Sequence, residues 1–141
     1  MALSLFPEGM MNSSSSGSEM TLEGIASKLT YFHEQLHLIH WQTTSYAEHQ
    51  ALGGLYDKVF DLKDEIVEKI MGYTGTRPKA SKHEMLRDYS IGIAKSVVID
   101  LKSFASELES YGESNNMPDI ENLAQGLSGD EAKTLYLLTL S

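Results

Sequence analysis

Histidine is concentrated in one short stretch of this chain. Four of the five histidines fall within seventeen positions, and three carboxylates follow on the next predicted helix: His33, His37, His40 and His49, then Asp64, Glu65 and Glu68. Imidazole and carboxylate groups on facing helices of a bundle are common ligands of iron and manganese. The chain has no cysteine, so a metal must be held by nitrogen and oxygen. The pattern predicts a metal site for iron, with zinc or manganese as alternatives.

Three of these histidines share one face of a helix. His33, His37 and His40 are four and three residues apart, which places them in one stripe. His33 is also readable as a solvated residue at the helix flank, and His37 as a residue at the edge of the core. His40 is the strongest candidate, because Ile39 and Trp41 beside it are bulky enough to seal a site.

A turn must separate His40 from His49 if the two are to share a metal. On one unbroken helix the nine steps between them would place the imidazoles on opposite faces. Residues 43–45, Thr-Thr-Ser, are weak helix formers that compete for backbone hydrogen bonds. We therefore predict a turn there, with Ser45 capping the next helix and Glu48 completing a capping box.

The carboxylates lie far from the histidines along the second helix. Asp64 and Glu68 follow His49 by fifteen and nineteen residues, or about 22 and 28 Å of helix. Within one subunit they cannot share a metal with His40 and His49. Two copies packed antiparallel across a two-fold axis would bring the histidine end of one to the carboxylate end of the other. The spacing predicts an intersubunit site in a homodimer.

Apolar residues at three- and four-residue steps predict four helices. Their expected ranges are about 21–42, 46–72, 91–111, and 119 to the C-terminus. No strand pattern competes. Four helices with a long connection between the second and third predict an all-α, ferritin-like four-helix bundle with a long crossover between helices B and C.

Local sequence signals predict further details of the connection and of the fourth helix. Residues 81–88 in the connection are expected to add a short helical turn. Asp119 is expected to be the N-cap of the fourth helix. Gly126 and Gly129 weaken that helix, and Ser128 with Glu131 resembles a capping box, so two short helices are an alternative there.

Composition sets the remaining expectations. We divide the 141 residues into an apolar N-terminal arm with a Ser-rich linker, 1–20, and a helical bundle, 21–141. The arm is either loosely packed or a docking peptide for a protein partner. A net charge of −9, with no Lys or Arg in residues 1–20, argues against nucleic-acid binding. Without a membrane-length apolar run, a cytoplasmic protein is expected.

The histidine and carboxylate spacing resembles that of the Dps family, small ferritin-like proteins named for DNA protection in starved cells. The matching residues are His40 followed by Trp41, then His49, Asp64 and Glu68. Dps-like proteins encoded by tailed bacteriophages are also similar, which would place this chain in the host cytoplasm.

The resemblance implies both a ligand set and an activity. In that family two histidines of one subunit and an Asp and Glu of its two-fold mate bind iron, so His40, His49, Asp64 and Glu68 take those roles here. Iron is oxidised there, typically by peroxide, and the mineral is stored inside a dodecamer. The resemblance therefore implies a ferroxidase that sequesters iron and removes peroxide.

The chain also departs from the family pattern. The segment between His40 and His49 is shorter, and Gly53 stands where many members carry a carboxylate ligand. His37 or Glu65 would have to replace it. Lys69 stands where the family has an arginine. These departures favour a competing hypothesis, a ferritin-like structural or interaction protein with a decayed site or a structural metal.

Overall fold

The computed structural model describes residues 20–140, so the expected N-terminal arm lies, apart from Met20, outside the described residues. Four helices follow one another: α1 (Leu22–Gln42), α2 (Tyr46–Thr74), α3 (Ile93–Ser114) and α4 (Pro118–Leu138). The described residues form no strand, and the predicted all-α four-helix class is confirmed. Within residues 20–140, none of the helices combines the length and apolar character that crossing a bilayer requires.

The first two helices begin at the hydroxyl caps that their sequences supply. The Thr21 side chain accepts a hydrogen bond from the Gly24 amide at 3.0 Å, and the Ser45 side chain accepts one from the Glu48 amide at 3.2 Å. α2 ends at Thr74, two residues later than predicted, and Gly75 is its C-cap. This glycine has φ 70°, a left-handed conformation that favours glycine, and its amide donates to the Met71 carbonyl at 2.8 Å.

One hydrophobic core joins the four helices. α1 packs mainly on α2, α3 packs on α4, and α2 also contacts α4. The apolar residues that recur at three- and four-residue steps are the ones buried in this core. Its largest fully buried side chains are Ile25, Leu29, Phe32, Leu36, Ile39, Leu52, Leu55, Ile66, Ile70, Leu101, Leu108 and Ile120.

The fourth helix corrects two local predictions. It is one continuous helix, and its N-cap is Met117 with Pro118 at the first turn, so the expectation that Asp119 caps it is wrong. Glu131 is buried inside the helix and forms no capping box with Ser128. A glycine in a helix costs only about 1 kcal/mol, which burial of the apolar face of α4 outweighs.

The link between α2 and α3, residues 76–92, contains no helix apart from a turn at its end, so the expected helical turn at 81–88 is wrong. Side chains of α1 hold its backbone instead. The buried Gln35 side chain donates to the Arg87 carbonyl at 2.9 Å and accepts from the Arg87 amide at 2.7 Å. A backbone amide and carbonyl that are bonded to a glutamine are no longer free for the hydrogen bonds of a helix.

The same link is attached to α1 at two other levels. Near the start of α1, the Ser27 hydroxyl donates to the Lys82 carbonyl at 2.7 Å. At the end of α1, the Gln42 side chain accepts from the Tyr89 amide at 2.7 Å and donates to the Asp88 carboxylate at 3.0 Å. The link therefore follows α1 from its first turns to its last residue.

Candidate metal centre

The turn between α1 and α2 brings His40 and His49 together. α1 ends at Gln42 and α2 begins at Tyr46, so the turn predicted at residues 43–45 is confirmed. The two imidazole rings stack with centroids 3.8 Å apart and planes inclined by 17°. Both side chains are half-buried, so solvent and ions have access to the pair.

Each of these imidazoles bonds to the backbone of the other residue. His40 Nδ1 lies 2.7 Å from the His49 carbonyl oxygen, and His49 Nδ1 lies 2.9 Å from the His40 carbonyl oxygen. A carbonyl oxygen only accepts, so each Nδ1 carries the proton and donates it. A neutral ring then has its lone pair on Nε2, the arrangement by which proteins orient histidine ligands. In this hairpin, Nε2 of each histidine is therefore the ring atom that can bind a metal ion.

Gly53 provides the space for one of these rings. A Cβ atom at Gly53 would lie 3.0 Å from Cε1 and 3.3 Å from Nδ1 of His40. Such contacts are tighter than ordinary van der Waals packing. The sequence suggested only that a carboxylate was missing at position 53, whereas the structure gives this glycine a steric role beside His40.

Gly53 and Gly54 make a matched pair for testing that role. Both lie inside α2, where alanine is intrinsically favoured over glycine by about 1 kcal/mol. Apart from its chain neighbours and the backbone of its own helix, nothing lies within 4 Å of a Cβ at Gly54, so Gly54→Ala is expected to stabilise the protein. Gly53→Ala should lose most of that gain, because the His40 ring must shift. Urea unfolding of both variants measures the difference; equal stabilisation by the two alanines would contradict the steric role.

An aromatic cluster continues from His40 along α1. The Tyr56 ring stacks on His37 with a centroid distance of 4.3 Å and contacts His40 at 5.1 Å. Trp41 packs against His37 at 3.9 Å and is 64% exposed. Within a single chain the indole contacts His37, and the sealing of a site at His40 by Trp41 stays a prediction.

His33 stands at the far end of this cluster, in surroundings that favour its neutral form. Burial lowers the pKa of its imidazole, and the positive charge of Lys63 and the neighbouring His37 lower it further. Glu34 and Asp57 act in the opposite direction. His33 also contacts the exposed Phe60 ring at 5.1 Å. The imidazole is therefore packed among rings, which differs from the solvated flank residue that its sequence position suggested.

The carboxylates lie apart from the histidines, as the helix spacing requires. Asp64, Glu65 and Glu68 are exposed on α2, which runs unbroken from His49 to all three. Lys69 lies 3.6 Å from the Glu65 carboxylate and 3.9 Å from that of Asp119. Within residues 20–140 of one chain, no three His, Asp or Glu side chains are arranged to hold a metal ion.

The Glu48 side chain beside the hairpin has partners that its sequence position did not predict. The Glu48 carboxylate accepts hydrogen bonds from the Thr43 hydroxyl at 2.6 Å and from the Tyr89 hydroxyl at 2.7 Å. The predicted capping box is therefore only half formed, because Thr43 and not Glu48 accepts from the Ser45 amide. The bond to Glu48 raises the pKa of Tyr89. No sequence spacing relates Glu48 to Tyr89, which lies 41 positions later.

Comparison with known proteins gives one match. A family model described as a family of unknown function, DUF5856, matches residues 40–138. The matched stretch begins at His40 and includes His49, Asp64 and Glu68, while His33 and His37 lie before it. Neither the curated proteins nor the solved structures gave a match to this chain.

Proposed function

The chain belongs to DUF5856, a family of unknown function, and we propose that it is a Dps-like iron-binding ferroxidase. Its substrate is Fe(II), which it oxidises with peroxide or dioxygen for iron sequestration and peroxide detoxification. The ligands are His40 and His49 of one subunit with Asp64 and Glu68 of its two-fold mate. His37 and Glu65 are the reserve ligands.

The reciprocal hydrogen bonding of His40 and His49 carries this proposal. Each Nδ1 is occupied by a backbone carbonyl, which fixes the tautomer and leaves Nε2 as the donor atom. The two rings stack at the turn between α1 and α2 and are half-buried, so both candidate donor atoms belong to one region of the surface. Iron(II) accepts imidazole together with carboxylate ligands.

The exposed surface of α1 and α2 supports an intersubunit site. Its histidine end carries exposed aromatic rings, Trp41 at 64% and Tyr46 at 74%, which are large apolar groups to leave in water. Its other end carries the exposed carboxylates Asp64 and Glu68. A two-fold pairing of this surface with itself covers the rings and places carboxylates against imidazoles twice, once at each end.

The course of the link supports the ferritin-like topology. A link that begins after α2 and returns along α1 brings α3 back to the end of the bundle where α2 began. α2 and α3 then run in the same direction, which distinguishes a bundle with a long crossover from an up-down bundle. The hydrogen bonds that Ser27, Gln35 and Gln42 form with the link follow this return along α1.

The chemistry asked of these side chains is modest. Two imidazoles and two carboxylates offer nitrogen and anionic oxygen, a ligand set that stabilises the ferric product more than the ferrous substrate. Two ferrous ions supply two electrons, which with two protons reduce one peroxide to two waters. The chain's net charge of −9 raises the local concentration of ferrous ions around an oligomer.

Anaerobic titration with Fe(II), followed by addition of peroxide, tests the proposal. The wild type is expected to bind iron in proportion to its subunits and to oxidise it rapidly. His49→Ala and Asp64→Ala should each abolish both effects, while His83→Ala, at an exposed histidine on the link, should leave them unchanged. A wild type that binds no ferrous iron would refute the ferroxidase function.

A second function is favoured by the same pair of rings. The reciprocal bonds close the hairpin without any metal, so His40 and His49 could serve as a clasp in a ferritin-like structural or interaction protein. In that case His49→Ala lowers the stability of a protein that binds no iron. If zinc or manganese stabilises the wild type and iron is not oxidised, the site is a structural metal site.

A further inference from the structure

His33 and His37 form a second imidazole pair on α1, beside the hairpin, since the His37 ring lies 6.0 Å from the His40 ring. They lie one helical turn apart on the same face, and both are half-buried. Their ring centroids are 5.7 Å apart, with planes inclined by 48°. Unlike His40 and His49, which meet across a turn, these two rings belong to one helix and keep their spacing in a single chain.

Their separation is close to that of two imidazoles on one ion. Imidazole nitrogen binds zinc at about 2.0 to 2.1 Å, so two rings on one ion have centroids roughly 4.5 to 5.5 Å apart. The observed 5.7 Å needs only a small rotation of the two side chains. The helix therefore holds the two rings close to the separation that chelation of one ion requires.

The ring nitrogens of this pair have no competing partner among residues 20–140. His40 and His49 each use Nδ1 in a bond to a carbonyl, and His83 bonds to the Glu84 carbonyl at 2.8 Å. No hydrogen bond joins His33 or His37 to any described residue, although their rings contact Tyr56. Two half-exposed imidazoles that lack hydrogen-bond partners in the described chain are good ligands for a cation.

Charged side chains around His33 both attract and repel a cation bound there. The carboxylates of Asp57 and Glu34 attract positive charge to His33, and the ammonium of Lys63 repels it. Glu34 is shared with His83, whose Nε2 lies 3.5 Å from its carboxylate. Lys63 is therefore the side chain whose removal should strengthen cation binding at this place.

We propose that His33 and His37 form a chelating site for a borderline divalent cation such as Cu²⁺, Ni²⁺ or Zn²⁺. The site uses none of the four principal ligands of the proposed iron centre, takes His37 in place of its reserve role there, and needs no partner subunit. Two imidazoles supply nitrogen ligands and water completes the coordination. Because nitrogen sites follow the usual order of divalent affinities, copper binds more tightly than nickel, and nickel more tightly than manganese.

Titration of the purified full-length protein with Cu²⁺ alone, and separately with Zn²⁺, tests this site by calorimetry. His33→Ala and His37→Ala are each expected to weaken one class of binding at least about tenfold, because a single imidazole remains. Lys63→Gln should strengthen the same class. His83→Ala is the control for loss of a histidine outside the pair and should not weaken this class, because it removes neither ring and frees the Glu34 carboxylate. Helix content by circular dichroism verifies that α1 is intact in every variant.

His49→Ala separates this site from the iron centre. It should leave the Cu²⁺ binding of the His33 and His37 pair unchanged, while it removes any binding that belongs to His40 and His49. Failure of the wild type to bind iron would leave the expected copper result unaffected. Copper binding that is unchanged in His33→Ala, or lost equally in His33→Ala and His49→Ala, would overturn the second site.

Discussion

A mixture of His49→Ala and Asp64→Ala subunits is expected to recover about one quarter of the wild-type iron sites, although each variant alone has none. In a mixed dimer, one interface site combines the mutated residues of both subunits and is lost. The other combines intact histidines of one subunit with intact carboxylates of its mate. Random pairing makes half of the dimers mixed, with one of two sites intact in each.

The experiment requires unfolding equal amounts of the two variants together, refolding them, and titrating the product with Fe(II). Refolded wild type and each variant refolded alone are the controls. The recovery follows from α2, which keeps His49 and Asp64 about 22 Å apart in one chain. A site made within one subunit would recover nothing on mixing, and that result would refute the intersubunit arrangement.

Replacing the buried Glu131 is expected to stabilise the protein at neutral pH. Glu131 is 1% exposed on α4, and its Oε2 has no hydrogen-bond partner among the described residues. Burial raises the pKa of this carboxyl, and Lys102 offsets only part of the rise. An ionised carboxylate without a hydrogen bond is costly in the core, so Glu131→Gln should raise the free energy of unfolding by about 1 to 3 kcal/mol.

The raised pKa of Glu131 predicts how the stabilising effect of Glu131→Gln changes with pH. In the unfolded chain a glutamate ionises near pH 4.3, at about the usual value. Because its folded pKa is raised, Glu131 costs no stability below that pH. As the pH rises from the unfolded pKa to the folded pKa of Glu131, the free energy of unfolding falls. Above the folded pKa it falls no further. The advantage of Glu131→Gln should therefore be absent in acid and grow as the pH rises above the unfolded pKa.

Urea unfolding of wild type and Glu131→Gln across this pH range measures the effect. Glu113→Gln, at an exposed glutamate near the end of α3, is the matched control and should change stability little at any pH. A constant difference between Glu131→Gln and wild type from acid to neutral pH would contradict the ionised buried carboxylate. A destabilised variant at neutral pH would show that the carboxylate makes a favourable interaction in the core.

The helices were predictable because their signals are local and repeated. Thr21 and Ser45 cap α1 and α2 as their hydroxyls suggest, and the apolar steps identify the buried faces. The link was not predictable, because its conformation is decided by Gln35 and Gln42, which contact it from about fifty positions away in the chain. Long-range capture of a backbone by a side chain leaves no periodic pattern in a sequence.

The candidate site was predictable in part, where its geometry depends on local signals in the sequence. The turn between His40 and His49 follows from helix geometry and from weak helix formers at 43–45, and the structure places both rings together. Their reciprocal bonds to carbonyls, and the space that Gly53 provides, depend on the crossing of two backbones. The pairing of these histidines with Asp64 and Glu68 stays a prediction.

The bonds from α1 to the link also limit how this chain can change in length. Ser27, Gln35 and Gln42 fix the register of the link at Lys82, Arg87 and Tyr89. An inserted or deleted residue between positions 82 and 89 would shift one contact against the others, whereas one between 76 and 81 precedes them all. Of the link up to Tyr89, only that first stretch is free to vary in length or to accept an inserted tag.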